Sequence, residues 1–167
     1  QAGILPLQML FNIMACLPKP TGDERTVGLM CLLMRLWMKS RKCLVRAWDA
    51  REAGHWDKAV AGSSALRTAV WRRLADESTA VLGASSLAAF VDVSKFYDSL
   101  SPARVVETMR GLGYPAMILN LALQAHWGIR ILSVLGCMSS PIAVSTSVLL
   151  GCVTSNSMAR GFVYSIM

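Results

Sequence analysis

The chain has 167 residues, enough for one ordinary domain, and its 54% hydrophobic content provides ample material for a core. Seventeen Lys and Arg against ten Asp and Glu give a net charge of +7, which suits a polyanionic partner but fits a solvated basic face as well. The five cysteines (Cys16, Cys31, Cys43, Cys137 and Cys152) contain no Cys-x-x-Cys pair; they exclude a zinc site of that spacing, give no disulfide framework and fit a reducing compartment, nucleus or cytoplasm.

No basic segment at the N-terminus leads into an apolar stretch with a cleavage site, so no signal peptide is expected. With no initiator Met at the start and a stop at Met167 directly after an apolar run, both ends read as cut. Met9 to Leu17 is apolar except for Asn12 and reads as a strand. Leu17-Pro18-Lys19-Pro20-Thr21-Gly22-Asp23-Glu24 is a turn by composition, and Arg25 to Leu29 can return as a second strand. That makes a hairpin with Lys19 and Arg25 near its tip. A helix is expected from about Cys31 to Trp48, on the spacing of Leu29, Leu32, Leu33, Leu36, Leu44, Val45 and Trp48. Arg35, Lys39, Arg41, Lys42 and Arg46 leave it strongly basic. A polar connection runs from Asp49 to Ser64. Ser63 or Ser64 can cap a further helix to about Leu82, with Leu66, Val70 and Leu74 inward and Gly83 as its stop.

Leu87 to Val91 is apolar without a break and is bounded by Gly83-Ala84-Ser85-Ser86, the pattern of a buried strand. It delivers Asp92 at its end, and a short turn offers Asp98. Ser101 reads as an N-cap and Pro102 as the first residue of a helix that ends at Gly111-Leu112-Gly113. Pro115 starts another, to about Trp127. Gly136 to Pro141 separates the apolar runs Ile129–Leu135 and Ile142–Leu150, read as a β-hairpin, and Thr154 to Met167 is again helical. No repeat, low-complexity tract or dividing linker is present. Between Arg130 and Arg160 there is no charge and mean hydropathy of the chain is +0.45, long enough for a span of roughly 20 residues. Ser139-Ser140-Pro141, Ser145, Thr146, Ser147 and Thr154 to Ser157 weigh against a membrane-associated helical protein, the weakest reading.

An acid at the end of a buried strand can hold Mg²⁺ against a substrate phosphate, since that ion takes one or two carboxylates with phosphate oxygens and water. On spacing alone, the favoured reading is Asp92 as a strand-end acid facing water and Asp98 as a second N-cap. The wording of the segment, Asp-x-x-x-x-aromatic-Asp after an apolar strand, resembles motif A of reverse transcriptases of the non-LTR retrotransposon and group II intron type. The resemblance implies that Asp92 is a catalytic metal ligand, that Tyr97 excludes a ribose 2′-hydroxyl, and that Asp98 closes the motif. Leu17-Pro18-Lys19-Pro20 followed by Arg25 resembles the fingers segment, which implies that Lys19 and Arg25 close over an incoming triphosphate. A Lys charge and a forked guanidinium suit such a polyanion. Gly151-Cys152-Val153-Thr154-Ser155-Asn156-Ser157-Met158-Ala159 resembles motif B, which implies that Gly151, Cys152, Thr154 and Ser155 seat the template and nascent base pair. Phe96, Thr26, Leu150 and Val153 depart from the family pattern, standing where a small residue, Pro, Gln and Pro are usual.

The fold so implied is α+β: fingers (about 1–86) and a partial palm (87–167) of a right-hand polymerase, helix-rich with short β-hairpins. The implied chemistry is RNA-directed DNA synthesis by two Mg²⁺ ions about 3.5–4 Å apart, with an RNA template, a DNA primer and deoxynucleoside triphosphates as partners. The family's second acidic motif, Tyr-x-Asp-Asp, is absent, and no Asp or Glu follows Glu107. The chain by itself is therefore expected not to polymerise. A non-catalytic nucleic-acid-binding remnant of a retroelement is the alternative. His55 and His126 have no acid or cysteine at ligand spacing, and His126 reads as a polar neighbour of a helix end.

Overall fold

The computed structural model describes residues 3–20, 22, 24–54, 57–58, 62–87, 93–149 and 152–164, with Arg25 described by its backbone alone. A single 3-10 turn, Leu7–Met9, precedes strands β1 (Asn12–Pro18) and β2 (Glu24–Leu29). Helices α1 (Leu32–Ser40), α2 (Lys42–Glu52), α3 (Ala65–Val81), α4 (Phe96–Ser99), α5 (Pro102–Gly111) and α6 (Ala116–His126) follow. Strands β3 (Arg130–Val134) and β4 (Cys137–Met138) come next, and α7 (Ser155–Tyr164) closes the series. The class is mixed helix and sheet, with helix predominant.

β1 and β2 form the expected hairpin: their antiparallel register runs from Ile13 opposite Leu29 to Pro18 opposite Glu24. The turn between them closes where the Gly22 amide donates to the Lys19 carbonyl at 3.1 Å. β1 also pairs in parallel with β3, Asn12 opposite Arg130 and Ala15 opposite Ser133, so one mixed sheet of order β2-β1-β3-β4 holds both hairpins.

The expected helix over Cys31–Trp48 is two helices. The break falls at Arg41 (φ −97°, ψ 4°), beside Ser40, whose hydroxyl bonds the Trp37 carbonyl at 2.7 Å. A serine hydroxyl that bonds back onto the preceding turn competes with helix continuation. The second hairpin is also shorter than expected. Leu135 (φ 49°) and Gly136 (φ 84°) both adopt the left-handed conformation of a two-residue hairpin turn, so the return strand is Cys137–Met138. Ile142 makes only an isolated bridge to Arg130, and 143–149 has no strand. The expected strand over Leu87–Val91 lies outside the described residues from 88 onward.

The chain divides into two compact units, residues 1–48 with 95–167, and residues 49–94. The core of the larger unit gathers Met34, Met38, Val45, Trp48, Leu100, Val105, Met109, Tyr114, Ile118, Leu119, Val148, Leu149 and Met158. Trp48 organises one side: its indole N–H donates to the Leu112 carbonyl at 2.9 Å, and Tyr114 meets it edge-on at 4.9 Å. Buried Asn12, the one polar break in the β1 run, donates to the Ala125 carbonyl at 2.7 Å and ties the strand to the end of α6.

In the smaller unit, α3 starts at Ser64, whose hydroxyl accepts the Arg67 amide as expected. Leu66, Val70 and Leu74, expected to point inward, are exposed, as is Trp71, and α3 buries none of its residues. Arg72 with Asp76 and Arg73 with Glu77 form i,i+4 ion pairs along it. Hydrogen bonds from Ser86 and then Arg72 lower the Asp76 pKa below its usual value.

Candidate functional site

Among the described residues, a set of polar contacts gathers where α4, the 147–149 segment and the start of α7 meet. α4 begins at Lys95, a left-handed residue (φ 51°, ψ 37°), so the chain turns sharply into a single helical turn carrying Tyr97 and Asp98. That turn is registered against a segment some fifty residues further on. The Ser147 amide donates to the Leu100 carbonyl at 3.1 Å and the Val148 amide to the Tyr97 carbonyl at 2.9 Å. The half-buried Tyr97 donates its hydroxyl to Asn156 Oδ1 at 2.8 Å, on the first turn of α7. Its ring meets Phe96 edge-on at 5.7 Å, and Phe96 in turn meets Phe162 of α7 at 6.3 Å.

Ser147 sits at φ 98°, a region that favours glycine, and is held there from several sides. Its hydroxyl donates to Asp98 Oδ1 at 3.0 Å and accepts from the Arg130 guanidinium at 3.2 Å, while its carbonyl accepts from the Trp127 indole at 2.9 Å. Asp98 is thus joined to Arg130 through one hydroxyl. Burial lowers the pKa of the Arg130 guanidinium, and Asp98 opposes the shift. A small cavity of about 30 Å³ lies among Asp98, Arg130, Ser147, Thr26 and Gly28.

A second polar chain runs through His126, which is fully buried. Its Nδ1 accepts the Leu149 amide at 3.0 Å, and its Nε2 lies 3.2 Å from Thr154 Oγ1. Thr154 Oγ1 is 3.2 Å from Cys152 Sγ, which donates to Met38 Sδ at 3.1 Å. Ser155 turns back to bond the Cys152 carbonyl at 2.8 Å. Cys152 and Thr154 therefore face inward, onto His126 and α1. Burial raises the Cys152 thiol pKa, with the Thr154 bond opposing, so the sulfur is held as a neutral thiol and not as a nucleophile.

A groove of about 220 Å³ opens between β2, α1 and the side chains of Leu149, Cys152 and Val153. Its apolar lining includes Val27, Leu29, Met38 and Val153, with Arg35 and Lys39 beside them. Gly28 is needed here: a Cβ at that position would come within 2.8 Å of Leu149 Cδ2.

Of the residues singled out by sequence, Tyr97, Asp98, Cys152, Thr154 and Ser155 come together in this region. Asp92 and Gly151 lie outside the described residues, as do Leu150, His55 and Trp56. Lys19 is exposed at the hairpin turn, and the Arg25 backbone pairs with Leu17. No hydrogen bond or ion pair joins Lys19 to the Tyr97 region among the described residues. No group of three His, Cys, Asp or Glu side chains suited to a metal comes together among the described residues. No helix among them is long and apolar enough to cross a membrane, and the uncharged Arg130–Arg160 run holds β3, β4 and most of α7 instead of one continuous helix.

Sequence reasoning missed the roles of Arg130, Ser147 and Asn156, and it read His126 only as a polar neighbour of a helix end. Their partners lie 17 to 59 residues away in the chain, a separation that no local spacing encodes. The chain matches no protein-family model and no curated protein.

Proposed function

We propose that the chain is the fingers and first part of the palm of a reverse-transcriptase-like protein, whose intact form copies an RNA template into DNA from a primer. The observation that carries this reading is the meeting of the two motif-like segments: Tyr97 is bonded to Asn156 through its hydroxyl and to Val148 through its carbonyl. In a template-directed polymerase, the residue beside the sugar and the turn beneath the base pair must share one site, because one nucleotide touches both. The β1–β2 hairpin, with Lys19 exposed at its turn, is the second support. Asp92 would hold Mg²⁺, which when bound supplies activation of the primer hydroxyl and neutralises the leaving pyrophosphate. Tyr97 screens the sugar, Asp98 fixes the turn through Ser147, and Lys19 and Arg25 neutralise the triphosphate. Thr154, Ser155 and Cys152 shape the turn from within.

A second acid is required near Asp92. This chain has none after Glu107, so on this reading it must come from residues beyond Met167. The test extends the chain past Met167 and measures RNA-templated, Mg²⁺-dependent primer extension with and without Asp92→Ala. Extension that the substitution abolishes is the expected result, with none from residues 1–167 alone. Equal activity of both proteins, or extension by the short chain, would sink the reading.

One observation favours the non-catalytic alternative. Arg35, Lys39, Arg41, Lys42 and Arg46 are exposed on α1 and α2 or between them and make no ion pair among the described residues. Such a surface binds a phosphate backbone whether or not any chemistry follows. Nucleic-acid binding without Asp92-dependent extension is its signature.

A further inference from the structure

A wall of aromatic ring discriminates between two sugars only as well as the ring is held, since a side chain free to change rotamer yields to the extra hydroxyl. Tyr97 is held at three places. Its backbone carbonyl accepts the Val148 amide, its ring and that of Phe96 meet in an edge-type contact, and its hydroxyl donates to Asn156 Oδ1 at 2.8 Å. The first two contacts fix the backbone and one side of the ring. Among the described residues, Asn156 anchors the tip, the part that swings furthest when the side chain moves. It is itself exposed and sits on the first turn of α7, between buried Ser155 and Ser157. Its backbone is thereby fixed while its side chain remains at the surface that a nucleotide would approach.

We propose that Asn156 is a positioning residue that locks the Tyr97 ring and so sets how strictly a deoxynucleotide is preferred over a ribonucleotide. The inference rests on reading Tyr97 as the group that meets the sugar. It requires an acceptor at the end of residue 156, not merely its bulk. Leucine keeps the shape and removes the acceptor, whereas aspartate keeps both.

The experiment uses the protein extended past Met167 and measures kcat/KM for one deoxynucleoside triphosphate and its ribo counterpart on an RNA template. Asn156→Leu should lower the deoxy-to-ribo ratio about tenfold, the scale of one hydrogen bond. Asn156→Asp should keep the ratio. Tyr97→Ala should lower it further, and adding Asn156→Leu to Tyr97→Ala should change nothing more. If Tyr97→Ala relaxes the ratio and Asn156→Leu does not, the role of Asn156 is refuted and the sugar-screening role of Tyr97 stands. If Asn156→Leu and Asn156→Asp impair both substrates equally, Asn156 is only structural and the inference falls. If Tyr97→Ala leaves the ratio untouched, or no templated incorporation occurs, the reading of Tyr97 falls and the inference with it.

Discussion

With Nδ1 accepting the Leu149 amide, the proton of neutral His126 must sit on Nε2, where it meets Thr154 Oγ1. Thr154 can then donate onward to Cys152, and Cys152 to Met38, so every member of the buried chain has a direction. Protonating Nδ1 would remove the acceptor that His126 gives the Leu149 amide and place a charge beside Arg130. Burial first, and Arg130 second, lower the His126 pKa from 6.5 to about 3. The sign follows from proton counting. Between those values the unfolded chain holds a proton on His126 that the folded chain refuses, so stability is full above pH 6.5 and falls as pH drops toward 3. The slope from this group is about 1.4 kcal/mol per pH unit. Urea unfolding at pH 7 and pH 5, on the parent and on His126→Asn, isolates the effect because other groups cancel. The parent should lose about 2 kcal/mol more than the variant over that interval. An equal loss in both would mean that His126 is not a buried neutral acceptor.

At the scale of elements, the α5–α7 crossing depends on a missing side chain. A Cβ at Gly161 would overlap Met109 Sδ, and Met109 is fully buried. The methionine tip is flexible, but Met109 is fully buried and packed between the two helices. Gly161→Ala should therefore destabilise the larger unit by about 1–3 kcal/mol through overpacking, and Met109→Ala by about 2–5 kcal/mol through a cavity. The double variant should cost clearly less than the sum, since each change answers the other. Additive costs in chemical denaturation would show that the helices do not touch through this pair. Much of this layer could be read from sequence where the signal is local. The β1–β2 hairpin followed from its turn composition, α3 from its Ser64 cap, and α5 from Pro102 and its glycine-rich end. Ile142–Leu150 misled because apolar residues imply burial, not strand. Val148 and Leu149 are indeed buried, yet three successive amides, of Ser147, Val148 and Leu149, go to Leu100, Tyr97 and His126 instead of to a neighbouring strand. In the candidate site, Tyr97 and Thr154 were visible as members of motifs. Asn156 stood in one of those motifs too, but its role, like those of Ser147 and Arg130, was not legible, because these roles exist only once the chain has folded.

For the molecule as a whole, what matters about the +7 charge is where it stays uncompensated. On α3, Arg72 and Arg73 are each matched by an acid one turn away. Between Glu24 and Asp49 the chain carries Arg25, Arg35, Lys39, Arg41, Lys42 and Arg46 and no acid at all. A cation already paired offers little to a phosphate, whereas an unpaired exposed one releases a condensed counterion when it binds. Affinity for single-stranded nucleic acid should therefore come from α1 and α2, with log K falling by about 0.7 per contacted phosphate for each unit of log salt. Arg41→Glu combined with Lys42→Glu should weaken binding of a fluorescent oligonucleotide and flatten the salt slope by about 1 to 2 units. Arg72→Glu with Arg73→Glu makes the same change in net charge on the compensated helix. Because it also breaks two ion pairs, circular dichroism must first show α3 intact. Binding that falls equally in both double variants would mean that net charge alone draws the polyanion. Loss confined to the Arg41 and Lys42 pair would assign the contact to the acid-free stretch between Glu24 and Asp49, in which Arg35 and Lys39 line the groove beside Val153.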